Sequence, residues 1–252
     1  MALLEVNFRS VALGRNVTMQ VILPADKLEG QERYAPMAPF KTLYLLHGLH
    51  GNQADWNANT RIRRWAQDMG IAVVMPAGDN AFYVDQPLAG NNYGVFVGQE
   101  LVEITRRMFP LSHKREDTFI GGLSMGGFGA LRNGLKYHET FGAIISLSGA
   151  LDILHSPIFE AQRAFGEALF GPIEEAWTTD KDIRFLIRQL EKAQQKPRIY
   201  VACGTEDYLL EQNRTCRQLL EEADFDLTYV EGPGNHNWDF WDTYIKKALD
   251  WL

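Results

Sequence analysis

Gly121-Gly122-Leu123-Ser124-Met125-Gly126-Gly127-Phe128-Gly129 carries the pattern Gly122-x-Ser124-x-Gly126. In a nucleophile elbow this spacing puts a serine on a tight, strained turn between a strand and a helix, and the flanking residues must be tiny for the three to crowd together. The serine Oγ then projects from the turn, and the free N–H groups of the helix start face any negative charge that develops beside it. Three such fixed positions recur by chance in roughly one chain in ten of this length, so the context has to carry the reading. Thr118-Phe119-Ile120 upstream reads as a short buried strand, and Phe128, Leu131 and Leu135 downstream follow at helical spacing. Strand, turn and helix therefore come in the required order. The plainer alternative is a glycine-rich turn with a solvated serine. A phosphate loop is excluded, because no Lys-Ser or Lys-Thr follows the glycines and G-x-G-x-x-G spacing is absent.

The alternation continues outward in both directions. Residues 2–9 and 17–23 read as two strands around a Gly14-Arg15-Asn16 turn. Residues 24–39 are polar with three prolines and read as an exposed loop. The apolar runs 42–46 and 71–76 suit buried parallel strands, with a helix between them at about 59–68 that turns Ile62, Trp65 and Ala66 inward. Residues 78–98, with Tyr83, Asp85, Asn91, Asn92 and Tyr93, have no clear period, and so long a loop is expected to be functional. A helix follows at about 97–109, ended by Pro110. Beyond the elbow, 143–148 is another buried strand. Residues 150–197 form an excursion longer than a crossover needs, with helices near 159–169 and 182–193. Strand 198–204, helix 209–223, strand 227–230 and an amphipathic helix at about 238–251 complete the chain. This order predicts an α/β three-layer sandwich: a mostly parallel central sheet with antiparallel N-terminal strands, covered by helices on both faces. No repeat or composition shift divides it, so one domain is expected over 1–252, with a cap-like insertion at about 151–196; plain extra helices are the alternative.

A serine hydroxyl needs a base within hydrogen-bond reach, and the base needs an orienting carboxylate. Both should sit at the carboxyl ends of strands, on the same sheet edge as Ser124. Of six histidines, His138 ends the elbow helix, where a cation suits the dipole. His113 and His155 lie in polar loop sequence, and His47 and His50 precede the serine. His236 follows the last strand through Gly232-Pro233-Gly234 and is the expected base. Asp207, three residues beyond Gly204, is the expected acid, with Glu206 as its main rival and Asp152 as a second. A helix N-cap is the competing use of Asp207. The oxyanion hole is expected from the backbone N–H of Met125 and that of Leu49, on the loop after strand 42–46.

Composition removes other classes. The net charge is −7 and no Lys/Arg block interleaves with aromatics, which argues against nucleic acid. No apolar run approaches the ~18 residues of a membrane span. The N-terminus lacks a basic start and a cleavage site, so no signal peptide is expected. Two cysteines, Cys203 and Cys216, are expected to be reduced in a cytoplasmic protein. No H-E-x-x-H or paired Cys/His spacing marks a metal site, and serine chemistry calls for no cofactor. A homo-oligomer is left open.

His47-Gly48-Leu49, Gly122-Leu123-Ser124-Met125-Gly126-Gly127, Gly204-Thr205-Glu206-Asp207 and Gly234-Asn235-His236-Asn237-Trp238 together resemble the α/β-hydrolase superfamily. More narrowly, they resemble the putative-esterase family that includes esterase D, the antigen 85 mycolyltransferases, feruloyl esterases and small bacterial tributyrin esterases. The resemblance runs from about residue 5 to the end. It implies hydrolysis of short-chain acyl esters through an acyl-enzyme, with Ser124, Asp207 and His236 as its triad. The leading expectation is thus a serine carboxylesterase acting on a small-molecule ester. A thioesterase like S-formylglutathione hydrolase is the alternative, and a non-catalytic binding protein on the same fold is a third reading, weakened by the intact motifs. Tyr83, Tyr93, Phe159, Phe165 and Trp177 are candidates to line the pocket, with Trp177 as a stacking platform; core packing is the competing reading for each.

Overall fold

The computed structural model describes residues 1–26 and 39–252; most of the loop expected over 24–39 lies outside them. Alternation of inward side chains builds the sheet. Its strands are β1 (Ala2–Arg9), β2 (Asn16–Leu23), β3 (Thr42–Leu46), β4 (Ala72–Pro76), β7 (Thr118–Leu123), β8 (Ala143–Leu147), β9 (Arg198–Gly204) and β10 (Leu227–Gly232). Two residue pairs, β5 (Asp85–Gln86) and β6 (Asn91–Asn92), make a small separate hairpin. Among the described residues the main sheet has the order β1-β2-β4-β3-β7-β8-β9-β10. The pairs β1–β2 and β2–β4 are antiparallel and the others parallel, as expected.

Successive side chains on a strand point to opposite faces, and both faces are covered. Leu43, Leu45, Val73, Phe119, Ile145 and Ala202 pack with Ile62 and Trp65 of helix Ile62–Met69 and with Trp241, Ile245 and Leu249 of the terminal helix Trp238–Trp251. Tyr44, Leu46, Ile120, Ile144, Ile199 and Val201 face the other way, onto the helices Leu101–Met108, Met125–Lys136, Ile183–Leu190 and Leu210–Glu222. The helix expected at about 97–109 begins earlier, at Tyr93, and passes through a widened π turn over Phe96–Glu100.

Segment 78–98 and the excursion after β8 are held by side chains from elsewhere. Phe82 meets Phe128 of the elbow helix and Phe170 edge to face, with ring centres 5.7 and 5.6 Å apart, and Phe159 lies 5.4 Å from Phe170. Arg132 of the elbow helix is fully buried. Its Nη2 donates to Asp180 Oδ2 at 2.7 Å and its Nε to the Asp180 carbonyl at 2.8 Å, while Lys136 Nζ reaches Asp85 at 3.2 Å and Asp180 at 2.5 Å. A buried guanidinium is tolerated only when its charge is met in this way. Between β8 and β9 the chain forms short helices at Pro157–Ala161, Arg163–Phe170 and Ile173–Ala176, then Ile183–Leu190 in the helical layer. No helix among the described residues is long and apolar enough to cross a membrane.

Candidate active site

The elbow forms as its glycines require. A Cβ on Gly122 would lie 2.4 Å from the Gly126 carbonyl oxygen, and one on Gly126 would lie 2.4 Å from the Leu46 oxygen and 2.6 Å from that of His47. Any side chain at either position would drive the end of β3 away from the turn. Ser124 has φ +54° and ψ −119°, a conformation that costs a non-glycine residue about 1–3 kcal/mol and that its surroundings must impose. They do so through the backbone: Ser124 N–H donates to Leu147 O at 3.0 Å, and Ser124 O accepts from Phe128 and Ala150.

His236 arrives on the loop between β10 and the terminal helix, whose start is fixed by Asn237 Oδ1 accepting the Phe240 N–H at 3.1 Å. Its Nε2 lies 3.0 Å from Ser124 Oγ, and its Nδ1 lies 2.9 Å from Asp207 Oδ2 and 3.1 Å from Oδ1. A carboxylate only accepts, so Nδ1 carries the hydrogen and the Nε2 lone pair faces the serine hydroxyl. The imidazole is held between Trp241, edge-on at 5.0 Å, and Tyr208 at 4.7 Å.

Asp207 is buried. Burial pushes its carboxyl pKa up, but the His236 ring and the Leu209 N–H, which donates to Oδ1 at 2.9 Å, outweigh this and hold it below the ordinary aspartate value. The N-cap-like bond and the histidine contact, competing uses in the sequence, coexist because the carboxylate has enough lone pairs for both. Its rivals have other partners. Glu206 accepts from Thr205 Oγ1 at 2.8 Å and from the Gly234 N–H at 2.6 Å, and so clamps the loop that delivers His236. Asp152 forms a two-pronged ion pair with Arg184 at 2.6 and 2.7 Å.

His47, set aside in the sequence because it precedes the serine, shapes the neighbouring loop. The Gly78 N–H donates to its Nε2 at 2.8 Å, so its Nδ1 carries the hydrogen and donates to Gly48 O at 2.7 Å. Tyr83 Oη donates to the His47 carbonyl at 3.0 Å. Burial holds this imidazole below its ordinary pKa and hence neutral, which suits a ring that must accept at one nitrogen. The signal for it was present in His47-Gly48, a histidine at a strand end beside a glycine. Among the described residues, neither the Leu49 nor the Met125 N–H is spent on another acceptor.

Ser124 and His236 open into a cleft of about 560 Å³ lined also by Gly48, Leu49, Leu123, Asp55, Tyr208, Trp238 and Trp241. The aromatic candidates from the sequence are elsewhere. Tyr83 and Phe159 are core, and Tyr93 is buried with its hydroxyl donating to Asp79. Trp177 stacks on His155 at 5.0 Å, and His155 in turn meets Asp182 at 3.0 Å, in a separate groove. Tyr208, Trp238 and Trp241 were missed because each falls in or beside a helix start, where packing explains an aromatic equally well.

The family model described as Putative esterase matches residues 10–252. The chain belongs to this family. It is 42% identical to an acetyl esterase of Caldicellulosiruptor saccharolyticus, over 100% of this chain and 98% of that one. Two solved structures from Staphylococcus aureus, each 29% identical, are also similar. One is the substrate-bound fluorophosphonate-binding serine hydrolase F (TM-score 0.86, covering 99% of this chain and 97% of that one). The other is an S-formylglutathione hydrolase without ligand (TM-score 0.85, 99% and 98%). The α/β-hydrolase fold expected from the sequence is borne out, and the protein is a carboxylic ester hydrolase.

Proposed function

We propose that Ser124, His236 and Asp207 are the catalytic triad of a serine carboxylesterase that removes short acyl groups, acetyl to butyryl, from small alcohols or sugars. The observation that carries this reading is the continuous chain Ser124–His236–Asp207, at 3.0 and 2.9 Å, at the wall of an open cleft. Nε2 takes the Ser124 proton as Oγ attacks the ester carbonyl, and Asp207 stabilises the imidazolium that forms. The carbonyl oxygen, now negative, is received by the Leu49 and Met125 N–H groups, each worth about 2.7–4 kcal/mol in the transition state. The proton then passes to the leaving alkoxide, and water releases the acyl group by the same steps in reverse. The acetyl esterase relative supports the short acyl chain.

Turnover of p-nitrophenyl acetate and butyrate is expected to fall about 10⁶-fold in Ser124→Ala, with circular dichroism and thermal unfolding unchanged. Retained turnover in that variant overturns the assignment. A fluorophosphonate probe should label the wild type and leave Ser124→Ala unlabelled, which separates an enzyme from an inert binding protein.

The likeness to an S-formylglutathione hydrolase favours a second reading, a thioesterase. Against it, Asp55 has no ion-pair or hydrogen-bond partner for its carboxylate among the described residues, and no Lys or Arg lines the cleft. That lining disfavours an anionic tripeptide leaving group. The ratio of kcat/KM for S-formylglutathione and p-nitrophenyl acetate decides between the two. A reducing, cytoplasmic setting suits Cys203 and Cys216, both free and buried, with burial raising the Cys203 pKa to about 12. The excursion between β8 and β9, about 151–196, is read as a cap-like insertion.

A further inference from the structure

The main sheet ends at β1, and among the described residues no strand pairs with its outer edge. The Ser10 N–H donates to Arg15 O at 2.9 Å, in step with the β1–β2 register that sets Arg9 opposite Asn16. Bonded and unbonded pairs alternate along an antiparallel ladder. The even-numbered residues of β1 therefore bond to β2, and the backbone N–H and C=O groups of Leu3, Glu5, Asn7 and Arg9 point outward from the sheet. The side chains of these four residues are exposed. Those of Leu4, Val6 and Phe8 lie on the opposite face, half-buried against the helical layer. There Phe8 also walls a groove of about 420 Å³ with Val11, Val95 and Ile104. Val11, just past the end of the strand, is 88% exposed.

An edge strand with outward backbone groups is a template for another strand, and the side chains of β1 specify its own copy. In a two-fold antiparallel pair, the residue on the axis fixes every other partner. With Glu5 on the axis Glu5 faces itself, and with Arg9 on the axis Arg9 faces itself; like charges directly opposite destabilise a sheet. With Val6 or Phe8 on the axis, neither charge meets an opposite one. An odd-to-even register is closed, because the even residues spend their backbone groups on β2. With Asn7 on the axis, Glu5 of each copy faces Arg9 of the other, twice. On the opposite face Val6 meets Phe8 across the junction, also twice, and Leu3 falls beside the exposed Val11. We propose that two copies of this chain join through β1, antiparallel and with Asn7 on the two-fold axis, so that one sheet runs through the dimer.

Sedimentation equilibrium is expected to show the wild type at twice the mass of the chain. Arg9→Glu and Glu5→Arg each set like charges opposite one another twice per dimer. Each alone is expected to weaken association at least about tenfold, and the two together to restore it. Both residues are exposed and lie outside the serine cleft, so turnover of p-nitrophenyl acetate should be unchanged in all three variants, which shows that each is folded. The register has its own readout. Bonded partners in an antiparallel pair lie about 5.5 Å apart at Cα, within the span of a disulfide. Asn7→Cys should therefore cross-link two chains on oxidation, and Glu5→Cys should not; Cys203 and Cys216 are buried and do not compete. A monomeric wild type, in which Glu5 and Arg9 only guard the edge, overturns the proposal. A dimer indifferent to both charge reversals overturns it as well, and a loss that the double exchange does not rescue overturns the register.

Discussion

The turn at Ser124 is built from glycine, and the segments 78–98 and 157–176 that pack near it are held by phenylalanine. At the turn the backbone does the positioning. Carbonyl oxygens of β3 approach Gly126 more closely than any Cβ allows, and Ser124 is held at φ +54° by main-chain bonds to Leu147, Phe128 and Ala150. In 78–98 and 157–176 the elements are short, and side chains from distant parts of the sequence do the holding. Phe82, Phe128, Phe159 and Phe170 meet edge to face at 5.4–6.0 Å, and Arg132 and Lys136 reach out to Asp85 and Asp180. The contrast teaches a division of labour. The Ser124 hydroxyl is placed by short, stiff, local geometry, whereas the segments packed around it are placed by contacts that are exchangeable and long-range.

The sharpest way to break this division is at the carboxylate behind His236. Asp207→Asn keeps the shape but removes the charge and replaces one accepting oxygen with an NH2 donor, so that the Nδ1–H tautomer is no longer fixed, and kcat is expected to fall about 10⁴-fold. Burst kinetics with p-nitrophenyl acetate would show the loss in acylation. The same variant has a second readout. Because the Asp207 carboxyl is held below its ordinary value, the stability it contributes is present above the unfolded-state carboxylate pKa of about 3.9. That stability is lost as pH falls through the lower folded-state value. Asp207→Asn should therefore flatten the acid limb of the unfolding midpoint against pH. A full-strength enzyme in Asp207→Asn would mean the local geometry does not place the acid.

Damage to the phenylalanine cluster should have the opposite profile. Phe170→Ala deletes a buried ring that touches Phe82, Phe128 and Phe159. It is expected to cost about 3–5 kcal/mol of stability, read as a shifted urea midpoint. At a temperature where the variant is fully folded, kcat for the acetyl ester should be nearly unchanged. If chemistry falls with packing while the protein is still folded, the two regions are one mechanical unit and the division fails.

The same contrast explains what the sequence made legible. Gly122 and Gly126 are readable because close approach leaves glycine as the sole choice, and the apolar runs of β3, β4, β7 and β8 are readable because both faces are covered. Asp207 and His236 follow from chain order at strand ends. Arg132 was not readable, since an arginine at helical spacing looks like a solvated face until Asp180 is brought to it from 48 residues away. The aromatic candidates went the same way: Tyr83, Tyr93 and Phe159 went into the core, while the cleft took Tyr208, Trp238 and Trp241. An aromatic side chain serves a core and a pocket equally well, and tertiary contacts, which composition does not carry, make the choice.

The finest distinction lies between adjacent acids. Glu206 and Asp207 were rivals in sequence, and they now have separate tasks at the same turn. Glu206 accepts the Thr205 hydroxyl and the Gly234 N–H, and these two bonds hold its carboxyl below the ordinary glutamate value. Its backbone N–H also donates to Gly234 O at 3.0 Å, and Thr205 N–H to Gly232 O at 2.9 Å. The loop carrying His236 is thus tied to the loop carrying Asp207 by three further bonds around the Asp207–His236 contact. Glu206→Gln keeps an acceptor for Gly234 and leaves both main-chain bonds intact, weakening only the charge-assisted part. The expected result is a fall in kcat of about threefold with KM unchanged, far from the effect at Asp207. A loss at Glu206→Gln that rivals Asp207→Asn would mean that Glu206 does more than hold the loop, and that the main-chain bonds alone do not hold His236 in register with Ser124.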